Sequence, residues 1–135
     1  MPRPRSEHPT PGELEVLQVL WRRGPCTVRQ VMEELNRRRP RAYTSVMSLL
    51  NVMVDKKLLR RKARGRAFVY AARVQEQPTL GELVGDLVER AFDGSARGLV
   101  LHALEQTEPS PQELEEIRRL IDEHRSRREE QSWSR

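Results

Sequence analysis

The stretch that decides the fold is RAYTSVMSLLNVMVDKKLLRRKARGRAFVYAA, residues 41–72. Its first half repeats apolar residues at helical spacing opposite mostly polar ones, which predicts a helix over 42–57. The apolar positions are Val46, Leu49, Leu50 and Met53. Its second half has two short runs of β-formers around the turn 63–66, which predicts a β-hairpin tipped with arginines. A helix followed by such a hairpin is typical of a winged-helix protein, in which the helix enters the major groove of DNA and the hairpin, called the wing, lies along the backbone.

The rest of the chain supplies two predicted helices before this stretch and three after it. Hydroxyl residues with Glu or Gln three positions later mark four helix starts by the capping-box spacing, at Thr10, Thr27, Thr79 and Ser110. The predicted helices cover 11–23, 28–38, 80–92, 96–106 and 111–128. We therefore expect a mainly α fold with one small β-hairpin. Its predicted parts are a winged helix-turn-helix domain at 7–74, a three-helix dimerisation module at 75–128 and a disordered tail at 129–135.

Charge divides the chain into two halves. The whole chain has 25 Lys or Arg and 20 Asp or Glu, a net charge of +5. Residues 1–75 hold 17 of these cations and six of the acids, whereas residues 76–135 hold eight and 14. A basic half joined to an acidic half favours a polyanion-binding domain followed by a module with another task. Ordinary solvated charge is the less favoured alternative, because the cations coincide with the predicted helix and wing.

Several classes of protein are disfavoured by what the sequence lacks. The single cysteine, Cys26, rules out an intrachain disulfide, and His8, His102 and His124 form no metal-ligand pattern. There is no nucleophile–base pair and no phosphate-binding glycine loop, so we expect no catalysis and no cofactor. No apolar run approaches the roughly 20 residues of a membrane span, and no signal-peptide pattern is present. A cytoplasmic protein without membrane insertion is the expectation.

The candidate DNA-binding residues lie on the 42–57 helix, in the loop before it and at the hairpin tip. Short hydroxyl and amide side chains can reach base edges and phosphates, and arginines can contact phosphates. The candidates are Arg41, Tyr43, Thr44, Ser45, Met47, Ser48, Asn51, Arg64 and Arg66. An ordinary solvated helix face is the alternative, and Tyr43 could instead cap its helix. Phe68 and Tyr70 share one strand face and are predicted to pack in the core.

The three C-terminal helices are amphipathic but short. Helices totalling about 45 residues cannot bury enough surface alone, so we expect them to pair with a second copy of the chain. The alternative is packing against the chain's own first domain. The apolar positions expected in the dimer interface are Leu80, Leu83, Val84, Leu87, Leu99, Leu104, Leu114, Ile117, Leu120 and Ile121.

Several motifs together resemble the penicillinase-repressor (BlaI/MecI) family of winged-helix transcriptional regulators over roughly residues 7–125. These motifs are TPGELEVL at 10–17, Leu20-Trp21, Val28 with Val31, AYTSVM at 42–47 and Phe68-Val69-Tyr70. The resemblance implies a bacterial homodimeric repressor, with a winged helix on a palindromic operator and a C-terminal dimerisation module. It also implies groove contacts by Thr44, Ser45, Met47 and Ser48.

The sequence departs from that family pattern at several places. Val52-Met53 stands where a basic residue is usual, and Lys57 stands where many members have glycine before the first wing strand. Members inactivated by a sensor protease are cut at an Asn-Phe bond in the fifth helix, where this chain has His102-Ala103. The resemblance therefore leaves a sensor protease as an open partner. No cysteine follows Cys26, which argues against the copper-responsive branch.

The leading hypothesis from the sequence is a homodimeric, sequence-specific transcriptional repressor of a promoter that contains a palindromic operator. The alternative is a winged-helix protein-interaction adaptor without sequence-specific DNA binding. The adaptor hypothesis predicts weak, sequence-blind DNA binding and a stable heteromeric partner. An enzyme is the third and least favoured class.

Overall fold

Six α-helices and one β-hairpin make up the computed structural model, which describes residues 8–133. The elements are α1 (Pro11–Arg23), α2 (Val28–Asn36), α3 (Tyr43–Asp55), β1 (Leu59–Arg64), β2 (Ala67–Ala72), α4 (Glu76–Ala91), α5 (Ala96–Thr107) and α6 (Pro111–Trp133). Three helices followed by an antiparallel hairpin confirm the predicted mainly α, winged-helix order. No helix within residues 8–133 has the length and apolar content needed to cross a membrane.

The chain divides into two compact units, Met1–Asp86 and Leu87–Arg135, and the division falls inside α4. The sequence placed the boundary earlier, at residue 74. In the first unit the Trp21 indole N–H donates to the Val74 carbonyl at 2.9 Å. His8 Nε2 lies 3.5 Å from the Asp86 carboxylate. These contacts attach the segment after the hairpin to the first unit, which therefore extends into α4.

Capping boxes begin the first two helices, as the sequence predicted. Thr10 Oγ1 accepts from the Glu13 backbone N–H at 3.2 Å, and the Glu13 carboxylate accepts from the Thr10 N–H at 2.9 Å. Thr27 and Gln30 make the same two bonds, also at 3.2 and 2.9 Å. Each box satisfies N–H groups that have no partner within the helix, so it fixes the residue at which the helix begins.

One hydrophobic core joins α1, α2, α3 and the hairpin. Its buried side chains are Val16, Leu17, Leu20, Cys26, Val28, Val31, Leu35, Val46, Leu50, Met53, Leu59 and Tyr70. Only one stripe of α3 is fully buried, which leaves the opposite face of that helix to solvent. Burial raises the pKa of the Cys26 thiol, which suits a packing residue better than a reactive one.

An ion pair between a buried carboxylate and an exposed lysine connects the start of α1 to the end of α3. The Glu13 carboxylate is almost fully buried and accepts from Lys56 Nζ at 2.8 Å. Burial by itself raises the pKa of Glu13. The bonds from Lys56 and from the Thr10 N–H outweigh burial and hold that pKa below its ordinary value of 4.5. The charged form of Glu13 therefore stabilises the fold.

We expect Glu13→Gln to reduce the pH dependence of stability. Because the folded pKa is depressed, the charge contribution is fully present above pH 4.5 and is lost as the pH falls through the folded pKa. Glutamine keeps the capping box, so the variant should lose roughly 1–3 kcal/mol at neutral pH and little in acid. Urea unfolding at neutral and acidic pH measures this. Glu33→Gln, an exposed position on α2, is the control. Equal losses of unfolding free energy at both pH values would show that the charge of Glu13 does not stabilise the fold.

The hairpin has a tighter turn than the sequence predicted. Arg64 pairs with Ala67, so the turn contains only Gly65 and Arg66 instead of the four predicted residues 63–66. Gly65 has φ +63°, which glycine adopts without the cost that a Cβ imposes. The other edge of β2 pairs with Cys26 through a bridge at Tyr70. No strand within residues 8–133 pairs with the outer edge of β1.

Lys57 occupies a left-handed conformation, with φ +65°, between α3 and β1. This is the position where the resembling family often has glycine. A non-glycine residue costs about 1 kcal/mol there. The Leu58 N–H, one residue on, donates to the Met53 carbonyl at 2.9 Å and completes the turn that ends α3. Lys57 therefore holds a conformation that glycine would adopt without this cost.

The predicted start of α4 was wrong. The helix begins at Glu76, so Thr79 is not its cap, and only residues 73–75 separate β2 from α4. The Thr79 hydroxyl instead donates to the Gln75 carbonyl at 2.6 Å. Pro78 is compatible with this earlier start. It lies in the first turn, where backbone N–H groups have no acceptor within the helix, so the missing N–H of proline costs no hydrogen bond.

The predicted end of α6 was also wrong. The helix continues past Arg128 to Trp133, so residues 129–133 are helical rather than a disordered tail. The segment Glu-Glu-Gln-Ser-Trp has no glycine or proline to end the helix. Residues 134–135 of the predicted tail lie outside the described residues.

Helices α4, α5 and α6 contain no fully buried residue. Five of the predicted dimerisation residues are half-buried, namely Leu80, Leu83, Leu99, Leu104 and Ile117. The other five are exposed, namely Val84, Leu87, Leu114, Leu120 and Ile121. Leu120 is 61% exposed. These helices therefore present a large apolar surface to solvent.

Candidate nucleic-acid interface

The outward face of α3 carries most of the side chains predicted to contact DNA. Tyr43, Thr44, Ser45, Met47 and Ser48 are all exposed. The N-cap residue of α3 is alanine and makes no side-chain bond to the first turn. The helix therefore begins with N–H groups that no capping side chain satisfies, and such groups favour phosphate. Tyr43 follows the N-cap, so it does not cap the helix.

Arg41 is not a free cation, although it was a predicted DNA-binding residue. Its side chain is 14% exposed, and its guanidinium donates to the Glu15 carboxylate at 2.7 Å. Its backbone N–H donates to Asn36 Oδ1 at 2.9 Å. Arg39 lies 3.9 Å from the same Glu15 carboxylate. These bonds commit Arg41 to holding the loop before α3 against α1.

Asn51, also a predicted DNA-binding residue, has partners within the chain that the sequence did not indicate. Its Oδ1 accepts from Arg61 Nη1 at 3.0 Å and from the Tyr70 hydroxyl at 3.2 Å. Asn51 therefore joins α3 to both strands of the wing, and its amide oxygen is not available to a base edge. Its role in the structure is to set the position of the wing relative to α3.

Phe68 lies outside the core, contrary to the prediction, whereas the prediction for Tyr70 is confirmed. Tyr70 is 2% exposed and Phe68 is 45% exposed. The two residues share a strand face, but Phe68 is nearer the turn, where the buried core does not extend. The Arg61 guanidinium lies over the Phe68 ring, 4.7 Å from its centroid. The sequence did not indicate this contact between Arg61 and Phe68. The hairpin register explains it, because Arg61 lies opposite Tyr70 and so on the same face as Phe68.

The wing of the first unit is rich in exposed cations. Within residues 8–133, none of the ion pairs involves Arg60, Lys62, Arg64 or Arg66. In the loop before α3, by contrast, Arg37 pairs with Glu34 at 3.6 Å. The strand register places Arg60, Lys62 and Arg64 on one face of β1. The wing therefore presents a cluster of cations that have no ion-pair partner among the described residues, and such a cluster can bind a polyanion.

The described part of the chain contains no cluster of metal-binding side chains. Across residues 8–133, no three His, Cys, Asp or Glu side chains come together as a metal site. The features that do come together are a polar helix face, an uncapped helix start and unpaired wing cations. This combination on three helices and a hairpin defines a winged-helix DNA-binding protein.

Comparison with known proteins identifies the family. The family model described as "Penicillinase repressor" matches residues 9–123. The chain is 34% identical over 114 residues to "Transcriptional regulator BlaI" of Mycobacterium tuberculosis, covering 82% of this chain and 81% of the relative. It is 26% identical over 119 residues to "Penicillinase repressor" of Bacillus licheniformis, covering 88% and 93%. The chain belongs to the penicillinase repressor family, which confirms the resemblance seen in its motifs.

Proposed function

We propose that this protein is a homodimeric transcriptional repressor that binds a palindromic operator within a promoter. The observation that carries the proposal is the exposed polar face of α3 beside a wing whose cations have no ion-pair partner within residues 8–133. In this arrangement α3 enters the major groove and Arg64 and Arg66 contact phosphates on the adjacent backbone. Occupation of a promoter by such a dimer blocks transcription.

Dimerisation is proposed from the apolar surface of α4, α5 and α6. These helices bury no residue completely within one chain, and a second copy would cover exposed side chains such as Leu87 and Leu120. Two copies related by a two-fold axis bind two half-sites related in the same way. The half-sites should lie about one helical turn of DNA apart, or a multiple of it.

Binding to operator DNA distinguishes this proposal from the adaptor alternative. Fluorescence anisotropy would compare DNA from upstream of the protein's own gene with a scrambled fragment at two salt concentrations. A repressor binds the native fragment more tightly at both concentrations, although about 6–10 phosphate contacts make affinity fall steeply with salt. Equal, salt-sensitive binding to both fragments would contradict specific repression and support the adaptor.

The α3 face should determine which sequence is bound. We expect Thr44→Ala or Ser48→Ala to change the preferred base at one position per half-site, with about 1–3 kcal/mol of discrimination lost for each contact. Competition with operators that vary at single positions measures this. Ser126→Ala is the control, because it removes a hydroxyl from α6, far along the chain from α3. Unchanged preference in both α3 variants would show that this face does not read bases.

The sequence left a sensor protease open as a partner, and it stays open in this proposal. His102 and Ala103 lie within α5, where the His102 ring nitrogen Nδ1 is 2.9 Å from the Gly98 carbonyl. Both residues are exposed. A protease acting between them would have to open α5 locally, because proteases bind their substrates in extended form.

A further inference from the structure

A groove between α3 and the wing is not explained by the contacts assigned so far. Its volume is about 470 Å³, and it lies between the first turns of α2 and α3 on one side and the hairpin turn on the other. We call it the α3–wing groove. Its lining residues are Thr27, Val28, Arg29, Tyr43, Met47, Arg66, Ala67, Phe68 and Tyr70.

Three large side chains with apolar surface are exposed in this groove. Tyr43 and Phe68 are each 45% exposed, and Met47 is 37% exposed. Exposed apolar surface of this extent is unfavourable in water unless a partner covers it. The Phe68 ring is held in place by the Arg61 guanidinium, which in turn donates to Asn51. The groove is therefore preformed in the absence of DNA.

Two cations flank this apolar surface. Arg29 lies in the first turn of α2, and Arg66 lies in the hairpin turn. Neither takes part in an ion pair within residues 8–133. A ligand that fits the α3–wing groove must therefore be anionic at its edges and apolar at its centre. A DNA strand meets both demands, because phosphates flank each base and thymine carries a methyl group in the major groove.

We propose that the α3–wing groove receives one strand of the operator and that Met47 and Phe68 recognise the methyl group of a thymine there. Arg29 and Arg66 contact the phosphates on either side. This inference rests on the proposed function, since it assumes that α3 lies in the major groove. Adenine and cytosine are disfavoured at that position, because their amino groups would be buried against carbon and sulfur without an acceptor.

The test replaces each thymine of a footprinted operator, one at a time, with deoxyuridine. Deoxyuridine keeps the hydrogen-bonding groups of thymine and lacks only its methyl group. Burying one methyl group corresponds to about a four-fold change in affinity per half-site. We expect one thymine position in each half-site to show this loss, and the other positions to show none.

Variants of the protein connect that loss to the groove. Met47→Ala and Phe68→Ala should each bind the thymine and deoxyuridine operators with nearly equal affinity. Val52→Ala is the matched control, because Val52 is also an exposed apolar residue of α3, 45% exposed, but does not line the groove. It should keep the full thymine preference. Arg29→Ala should weaken binding to both operators equally.

Two results would overturn the inference. One is specific binding to the unmodified operator with no sensitivity to deoxyuridine at any position. The other is a thymine preference that survives in both Met47→Ala and Phe68→Ala. Loss of specificity for the unmodified operator by the native protein would instead contradict the proposed function, so the two failures are distinguishable. Both replaced side chains are exposed, so circular dichroism should show unchanged folding.

Discussion

Replacing Arg64 and Arg66 together with alanine is expected to weaken binding to operator and scrambled DNA by the same factor. Both residues are exposed at the tip of the wing, and neither has an ion-pair partner among the described residues. Phosphate contacts position the protein without reporting the base sequence. The ratio of the two affinities should therefore be unchanged.

The size of the expected effect follows from how DNA affinity depends on salt concentration. Each phosphate contact contributes about one unit to the slope of log affinity against log salt concentration. A dimer that loses two contacts in each wing should lose about four units of slope, and at low salt its affinity should fall by orders of magnitude. Titrations at several salt concentrations measure the slope. Arg22→Ala, an exposed arginine at the end of α1, is the control. A changed affinity ratio with an unchanged slope would mean that the wing reads bases.

Leu120→Asp is expected to convert the protein into a monomer and to abolish tight operator binding. Leu120 is 61% exposed in the single chain, so the substitution should leave each protomer folded. In the proposed dimer it would bring two unpaired charges into an apolar interface. Binding to the full palindrome should fall by about 10²-fold or more because the second half-site is no longer bound intramolecularly.

Sedimentation and half-site binding separate this effect from misfolding. Analytical ultracentrifugation should show a dimer for the native protein and a monomer for the variant. Affinity for a single half-site should be the same for both. Ser126→Asp places the same charge at an exposed polar position of α6 and should leave the dimer intact. A native protein that is monomeric at micromolar concentration would rule out the proposed dimer.

Local sequence was sufficient where a structural feature depends on residues close together in the chain. Thr10 with Glu13, and Thr27 with Gln30, specify their helix starts because both partners lie within one turn. The same spacing failed at Thr79, because Glu76 begins a helix that already includes it. The spacing permits a cap but does not exclude an earlier start.

Sequence was insufficient where a side chain finds its partner far along the chain. Arg41 pairs with Glu15 across 26 positions, and Tyr70 bonds to Asn51 across 19. Neither pairing follows from helical or strand periodicity, so both Arg41 and Asn51 were predicted to face DNA. Phe68 shows a related limit, because strand alternation gives the face of a residue but not the point at which the core ends.

The outer edge of β1, which pairs with no other strand among the described residues, has a consequence for the protein in concentrated solution. An open strand edge can join the edge of another molecule and begin aggregation. Here the strand carries Arg60, Arg61, Lys62 and Arg64, so two such edges repel one another. Charges that attract DNA thus also keep separate molecules from stacking strand to strand. Substitutions that neutralise them would reduce colloidal solubility as well as affinity.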